Sequence, residues 1–173
     1  MKLKLDPKIL NMPIEEQLRS RLKNAKDIED KIYLSIAYFQ YINKLSVNKA
    51  VTLFKEHILS DGQKSTHSFE IYYTRNGKII TKKVDIPLKV DEFLSQYIPE
   101  IKNNKDLVAK IDKSKYIKAI KKLLNINASD ITAYTIYKMI NDISIYNLIS
   151  LRKHWALFSR DLLPYLLKNK AQL

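Results

Sequence analysis

The chain has no cysteine and only two glycines in 173 residues. Without thiols there is no disulfide framework, no zinc–thiolate site and no cysteine nucleophile. With glycine confined to positions 62 and 77, neither a P-loop nor a GxGxxG dinucleotide turn can be written, because both need clustered glycines. No HExxH, DxDxDG or GxSxG pattern occurs, which removes the common zinc-protease, calcium-loop and serine-hydrolase chemistries. The three histidines are well separated, so a histidine-rich metal centre is not indicated and no cofactor is expected. No apolar run approaches the roughly 18 residues that cross a bilayer, since Lys and Arg interrupt each one. No membrane partner is expected. The opening MKLKLDPKIL has neither an apolar signal-peptide core nor a small-residue cleavage site, which points to an intracellular protein.

Acidic residues are the other shortage. Eighteen Asp and Glu stand against thirty-one Lys and Arg, a net charge of +13 with a pI near 9.7. Counterion release lets such a surface hold polyphosphates, nucleic acid above all. Abundant Lys, Ile, Asn and Tyr also fit an AT-rich coding sequence, which raises lysine without regard to position. Clustering therefore weighs more than the total, and residues 101–125 carry eight Lys and only two Asp. The paired acids Glu15-Glu16 and Glu29-Asp30 read as solvated first-turn residues of helices, not as a general acid–base pair.

What is present is mostly helical periodicity. Residues 1–13 contain Pro7 and Pro13 and read as an irregular arm. Ile14, Leu18 and Leu22 recur at i, i+4 and i+8, predicting a short amphipathic helix over residues 14–25. Asp27 is placed to cap a second helix, IEDKIYLSIAYFQYINK, whose aromatic-rich character predicts burial. Ser46 is placed to cap a third, VNKAVTLFKEHIL, ended by Ser60, Asp61 and Gly62. The pattern then shifts to strands, FEIYYT and KIITKKVDI, joined at Asn76-Gly77, the strongest short-range hairpin signal. Arg75 and Lys78 flank that turn, and Pro87 ends the second strand.

Helices are expected again in VDEFLSQYI, stopped near Pro99, and in KYIKAIKKLLN after a polar stretch. The second would be capped by Ser114, with Tyr116, Ile117, Ile120, Leu123 and Leu124 inward and Lys115, Lys118 and Lys122 outward. Ser129 is a candidate cap for DITAYTIYKMIND, and SIYNLISLRKHWALF and RDLLPYLLKN, with Pro164, complete the chain. The expected organisation is an arm and short helix over residues 1–26, followed by one domain over residues 27–173. The fold class is mainly α (α+β): a helical domain with a small antiparallel hairpin.

The order of these elements resembles the catalytic domain of the tyrosine recombinases, or phage-type integrases, over roughly residues 27–168. Lys44, Leu45 and Ser46, continuing to Ala50 and Val51, lie on the family's R-(I/V)-S-E-L-L-A-L segment. The hairpin ending in Val84-Asp85-Ile86-Pro87-Leu88 lies on the family's lysine-bearing hairpin with its V-P-L end. Tyr134-Thr135-Ile136-Tyr137-Lys138 falls on the H-x-L-R-H box, and Arg152-Lys153-His154 on the L-G-H box. In that family two arginines clamp the scissile phosphate, a hairpin lysine and box histidines assist, and a tyrosine attacks.

The resemblance departs where the reaction is carried. Lys44 and Tyr137 stand at the two arginine positions; Lys lacks the planar bidentate fork and Tyr lacks the charge. Losing a donor to developing charge typically costs about 10²–10³-fold. The nucleophile position falls on Leu163, and Tyr165 lies two residues on, about 200° around a helix. The resemblance thus implies a DNA-binding domain without the reaction and with no catalytic residue. It would contact duplex DNA through Lys44, Arg75, Lys78, Lys82, Lys138, Arg152 and Lys153, with His154 in the final hydrogen-bonding position. The Lys113–Lys122 helix and the hairpin would flank the DNA.

The location implied is cytoplasmic, or nucleoid or nuclear with the DNA, in a virus or mobile element, and self-association into a homo-oligomer is left open. Bland readings stand beside these. A basic hairpin tip is ordinarily just solvated, a lone histidine beside Trp155 is ordinarily a packing residue, and Tyr134, Tyr137, Tyr146 and Tyr165 are most economically packing residues. The alternatives are an active strand-transfer enzyme using Tyr165, a helical scaffold whose lysine excess is compositional, and an RNA binder stacking bases on tyrosines.

Overall fold

A computed structural model of the protein describes residues 11–60 and 66–142. The architecture is mainly helical. α1 (Ile14–Asn24), α2 (Ile28–Asn43) and α3 (Val47–Leu59) precede two strands, β1 (Thr66–Arg75) and β2 (Lys78–Pro87). Three short helices follow, α4 (Glu92–Ser95), α5 (Ile98–Lys102) and α6 (Lys105–Ala109), then α7 (Lys113–Leu124) and α8 (Ala128–Asp142). Among the described residues, no helix is long and apolar enough to cross a membrane.

α2 is the axis of the bundle. A surface helix shows one apolar stripe, whereas a helix apolar all round must be enclosed. Every residue of α2 from Leu34 to Gln40 is buried, and α1, α3, α7 and α8 pack around it, with α4 and α5 in lesser contact. Asp27 caps its start, accepting the Glu29 N–H at 3.1 Å. α1 lays Ile14, Leu18 and Leu22, each 0% exposed, into the same hydrophobic cluster. At about 1.5–3 kcal/mol for each buried aliphatic side chain, this helix is a full part of the core, although its sequence sits beside the N-terminal arm.

A polar lattice reinforces that packing. Arg19 Nη2 of α1 donates to the Tyr38 hydroxyl at 3.0 Å, and Tyr38 donates onward to Asp91 Oδ2 at 2.6 Å. Asp91 Oδ1 accepts the Leu94 N–H at 2.9 Å and so caps α4. The Arg19 guanidinium also lies 4.9 Å from the Phe93 ring centroid and 5.6 Å from that of Tyr38, a cation–π arrangement.

The second half of the chain differs from its local signals in identifiable ways. The VDEFLSQYI segment does not form one helix stopped by Pro99. α4 ends at Ser95, and Pro99 sits in the first turn of α5, where its missing N–H is no loss. The polar KNNKD stretch runs into α6. α7 is capped by Asp112, which accepts the Lys115 N–H at 2.8 Å, not by Ser114. A carboxylate one residue before the helix takes the orphan amide, and Ser114 falls inside the first turn. That start leaves Ile117 39% exposed, about 100° around from the buried Tyr116, where an inward position is expected from its hydrophobicity alone. Ser129 likewise lies within α8, and Asp130 Oδ2 accepts the Asn127 N–H at 2.9 Å.

One buried amide connects three long-range partners. Gln40, 0% exposed, donates through Nε2 to the Ala128 carbonyl at 2.9 Å and to Thr132 Oγ1 at 2.7 Å. Its Oε1 accepts from the buried Tyr116 hydroxyl, and the Thr132 hydroxyl donates to the Leu45 carbonyl at 2.6 Å. α2, α7, α8 and the α2–α3 turn are thereby held in one register. Gln40→Leu keeps the volume but strands the Tyr116 hydroxyl, at an expected cost of about 1–3 kcal/mol in urea unfolding. Adding Tyr116→Phe should recover part of that loss, because removing both partners leaves nothing unpaired.

His57 of α3 has a buried Nδ1 with no hydrogen-bond partner among the described residues. Burial, and then the Lys102 ammonium, hold its imidazole below the ordinary value of 6.5. The unfolded chain therefore takes up a proton at a pH where the folded chain does not. Stability is fully present above about pH 6.5 and falls below it until the folded imidazole also protonates. His57→Gln should remove this slope from stability measured between about pH 5 and 7.

Candidate nucleic-acid interface

The end of α2 is shaped by a residue in an uncommon conformation. Lys44 takes φ 54° and ψ 44°, the left-handed region, and the Leu45 N–H reaches back to the Gln40 carbonyl at 3.1 Å. This is the Schellman closure, where glycine is the usual choice. A side chain there costs about 1–2 kcal/mol through its Cβ.

Lys44 is also half-buried. Its pKa is lowered by burial first and by the Lys89 ammonium second. Among the described residues no carboxylate pairs with it. The partial negative charge at the helix C-terminus offsets only about 0.3–1 kcal/mol. Backbone strain, desolvation and like-charge repulsion thus meet at one cation, and an anion is the partner that would balance them.

Asn43 places the second cation. Its Nδ2 donates to the Lys89 carbonyl at 2.9 Å and to the Phe39 carbonyl at 3.0 Å, while its Oδ1 accepts the Lys89 N–H at 2.6 Å. The side-chain amide imitates a strand partner and pins the segment leaving β2 to the end of α2. A third cation arrives on α8. The Tyr134 ring lies 6.1 Å from that of Tyr41, and Lys138 Nζ lies 6.0 Å from the Tyr134 centroid. Tyr41 is three residues before Lys44 and is fixed by a 2.9 Å bond from its hydroxyl to Glu15 Oε2. Burial and that carboxylate push the Tyr41 phenol well above its ordinary value, as burial and Asp91 do for Tyr38. Both stay neutral and present no charge that would repel a phosphate.

The remaining cations of interest are distributed differently. β1 and β2 pair antiparallel with Arg75 opposite Lys78, and Asn76 and Gly77 between them take φ 51° and 72°, the backbone of a type I′ turn. Asn76, Gly77 and Lys78 are exposed. Lys82 stands mid-strand opposite Ile71. The ten residues of β2 rise roughly 30 Å, so one phosphate cannot meet both the tip and the Lys44–Lys89 pair at its root.

On α7 every lysine, 113, 115, 118, 121 and 122, is exposed, and the helix contains no acid. Lys115, Lys118 and Lys122 follow one stripe. Of the expected contact residues, Lys138 stands over the Tyr134 ring that packs on Tyr41, Lys44 ends α2 three residues after Tyr41, and Arg75 and Lys78 face each other at the hairpin tip. Arg152, Lys153, His154 and Tyr165 lie outside the described residues.

Lys89 was not among the residues singled out from sequence. Its only local signal is its place two residues beyond Pro87; its contact with Asn43 spans 46 positions. An open cleft of about 620 Å³ between α3 and the start of α7 has Glu56 and Asp112 in its lining and none of Lys44, Lys89 or Lys138. Lys55 and Lys113 line it as well, so the cleft has no excess of either charge. Among the described residues, no cluster of three or more His, Asp or Glu could hold a metal ion.

Replacing Lys44 by Gly should raise thermal stability. Relief of about 1–2 kcal/mol at the left-handed position outweighs about 0.5–1 kcal/mol of added chain entropy in the unfolded state. A lower Tm in Lys44→Gly would contradict the strain at this turn. No family model, curated protein or solved structure matches this chain.

Proposed function

We propose that the protein binds duplex DNA through phosphate contacts, as a domain resembling the tyrosine-recombinase catalytic domain that does not carry out its reaction. The observation that carries this reading is Lys44. It is a strained, half-buried cation beside Lys89, without a carboxylate partner among the described residues, at the position where the resemblance puts a phosphate-clamping arginine. Evolution has the option of glycine at such a turn at lower conformational cost. A bound phosphate supplies the reason to keep an ammonium.

Three further features fit the same partner. The excess of base over acid is +13, enough for several phosphate contacts. The exposed lysine stripe of α7 offers a row of point charges. The separation of roughly 30 Å between hairpin tip and root is close to one turn of duplex, about 34 Å, so Lys78 and Lys44 can meet backbone one turn apart. Lysine is suited to holding a phosphate and poorly suited to bidentate clamping of a transition state. With Lys44 and Tyr137 at the arginine positions, binding without cleavage is the consistent outcome.

Salt-titrated binding of a short duplex tests this. With about six phosphate contacts the log–log slope is about −5, a loss of about 10³-fold between roughly 50 and 200 mM salt. Lys44→Gly should make that slope shallower by about one and weaken binding whatever the sequence of the duplex. No binding at low salt, or an affinity flat across that range, would sink the proposal.

A further inference from the structure

Phosphate contacts do not account for the aromatic pair formed between α2 and α8. Tyr41 and Tyr134 are both half-buried, their rings tilted at 34° with centroids 6.1 Å apart. Tyr41 is the fixed member, with its hydroxyl bonded to Glu15 and its ring 6.3 Å from that of Tyr38. Tyr134 is the outer member, supported by Tyr41 and by the turn of α8 anchored through Thr132. Among the described residues, the charged group standing over its ring is the ammonium of Lys138, an exposed residue one helical turn on. A half-buried aromatic face backed by a second ring, with an ammonium above it, has the chemistry of a nucleotide seat: a π-face for a base and a cation for its phosphate.

A base paired and stacked inside a duplex cannot offer its face to a side chain. Resting on the DNA-binding reading above, we infer that Tyr134 is a stacking platform for an unpaired DNA base, with Lys138 moving from the ring to that nucleotide's phosphate. The preferred partner is then DNA containing an unpaired or extruded nucleotide, such as a gap, a junction or a melted site, in preference to uninterrupted duplex.

The test compares a duplex carrying a short thymine gap with the same duplex intact. Wild-type protein should bind the gapped DNA more tightly. Tyr134→Leu should lower gapped-DNA affinity by about 5- to 100-fold, the range for loss of one stacked base, and change intact-duplex affinity less than about twofold. Tyr134→Phe keeps the ring and should keep the preference. Lys138→Ala, at an exposed position, should weaken both complexes severalfold without disturbing the fold. A readout that needs no variant is photocrosslinking from 5-iododeoxyuridine placed in the gap, with the adduct expected on Tyr134. Equal affinity for the two DNAs, an unchanged Tyr134→Leu, or adducts that exclude Tyr134 would each overturn the inference. If intact duplex binds with steep salt dependence and the gap adds nothing, the platform fails while the phosphate reading stands. If neither DNA binds, both fail.

Discussion

The structure depends on a single buried amide. Gln40 uses both N–H groups and its side-chain oxygen on partners from α7 and α8. Its backbone carbonyl receives the Leu45 N–H that closes α2. A polar group at 0% exposure costs free energy unless it is paired, and this one is paired only when three helices and the turn occupy one arrangement. The same residue therefore sets the bundle geometry and the left-handed turn that presents Lys44. Hydrophobic burial around α2 supplies the driving force, while Gln40 selects which packing satisfies it.

That frame sorts the cations into two kinds. Arg19 is engaged with Tyr38 and Glu15, Lys31 with Glu100 at 3.0 Å, and Lys55 with the carbonyls of Ala109 and Ile111 that end α6. These hold the protein to itself. Lys115 of α7 likewise donates to the Lys110 carbonyl at 3.1 Å, whereas Lys44, Lys89, Lys138, Lys118 and Lys122 show no internal ion pair among the described residues. A compositional excess of lysine has no reason to put an ammonium at a strained turn beside another ammonium. Burial first, and the Lys89 ammonium second, lower the pKa of Lys44.

The helices of the first half were legible because their determinants are short-range. Ile14, Leu18 and Leu22 mark α1 by spacing, Asp27 and Ser46 mark the starts of α2 and α3 by capping, and Ser60 marks the end of α3. Where two local signals compete, neighbouring residues decided between them. Asp112 displaced Ser114 as the cap of α7, which turned Ile117 outward, and Pro99 opened a helix instead of ending one. Of the candidate site, Lys44 and Lys138 were singled out from the sequence on a family resemblance. Lys89 was not, since nothing within a few residues of it signals that Asn43 will hold it.

What the sequence determined by itself is the mainly helical class, the placement of the early helices and an excess of positive charge. These follow from spacing, capping and composition, all of which act within a few residues or over the whole chain. The meeting of Lys44 with Lys89, of Tyr41 with Tyr134, and the choice of Gln40 as hub were decided only by the tertiary structure. Those pairs lie from 45 to 93 positions apart, and their contact depends on how helices settle into one packed core, where a buried donor must find an acceptor wherever in the chain it lies.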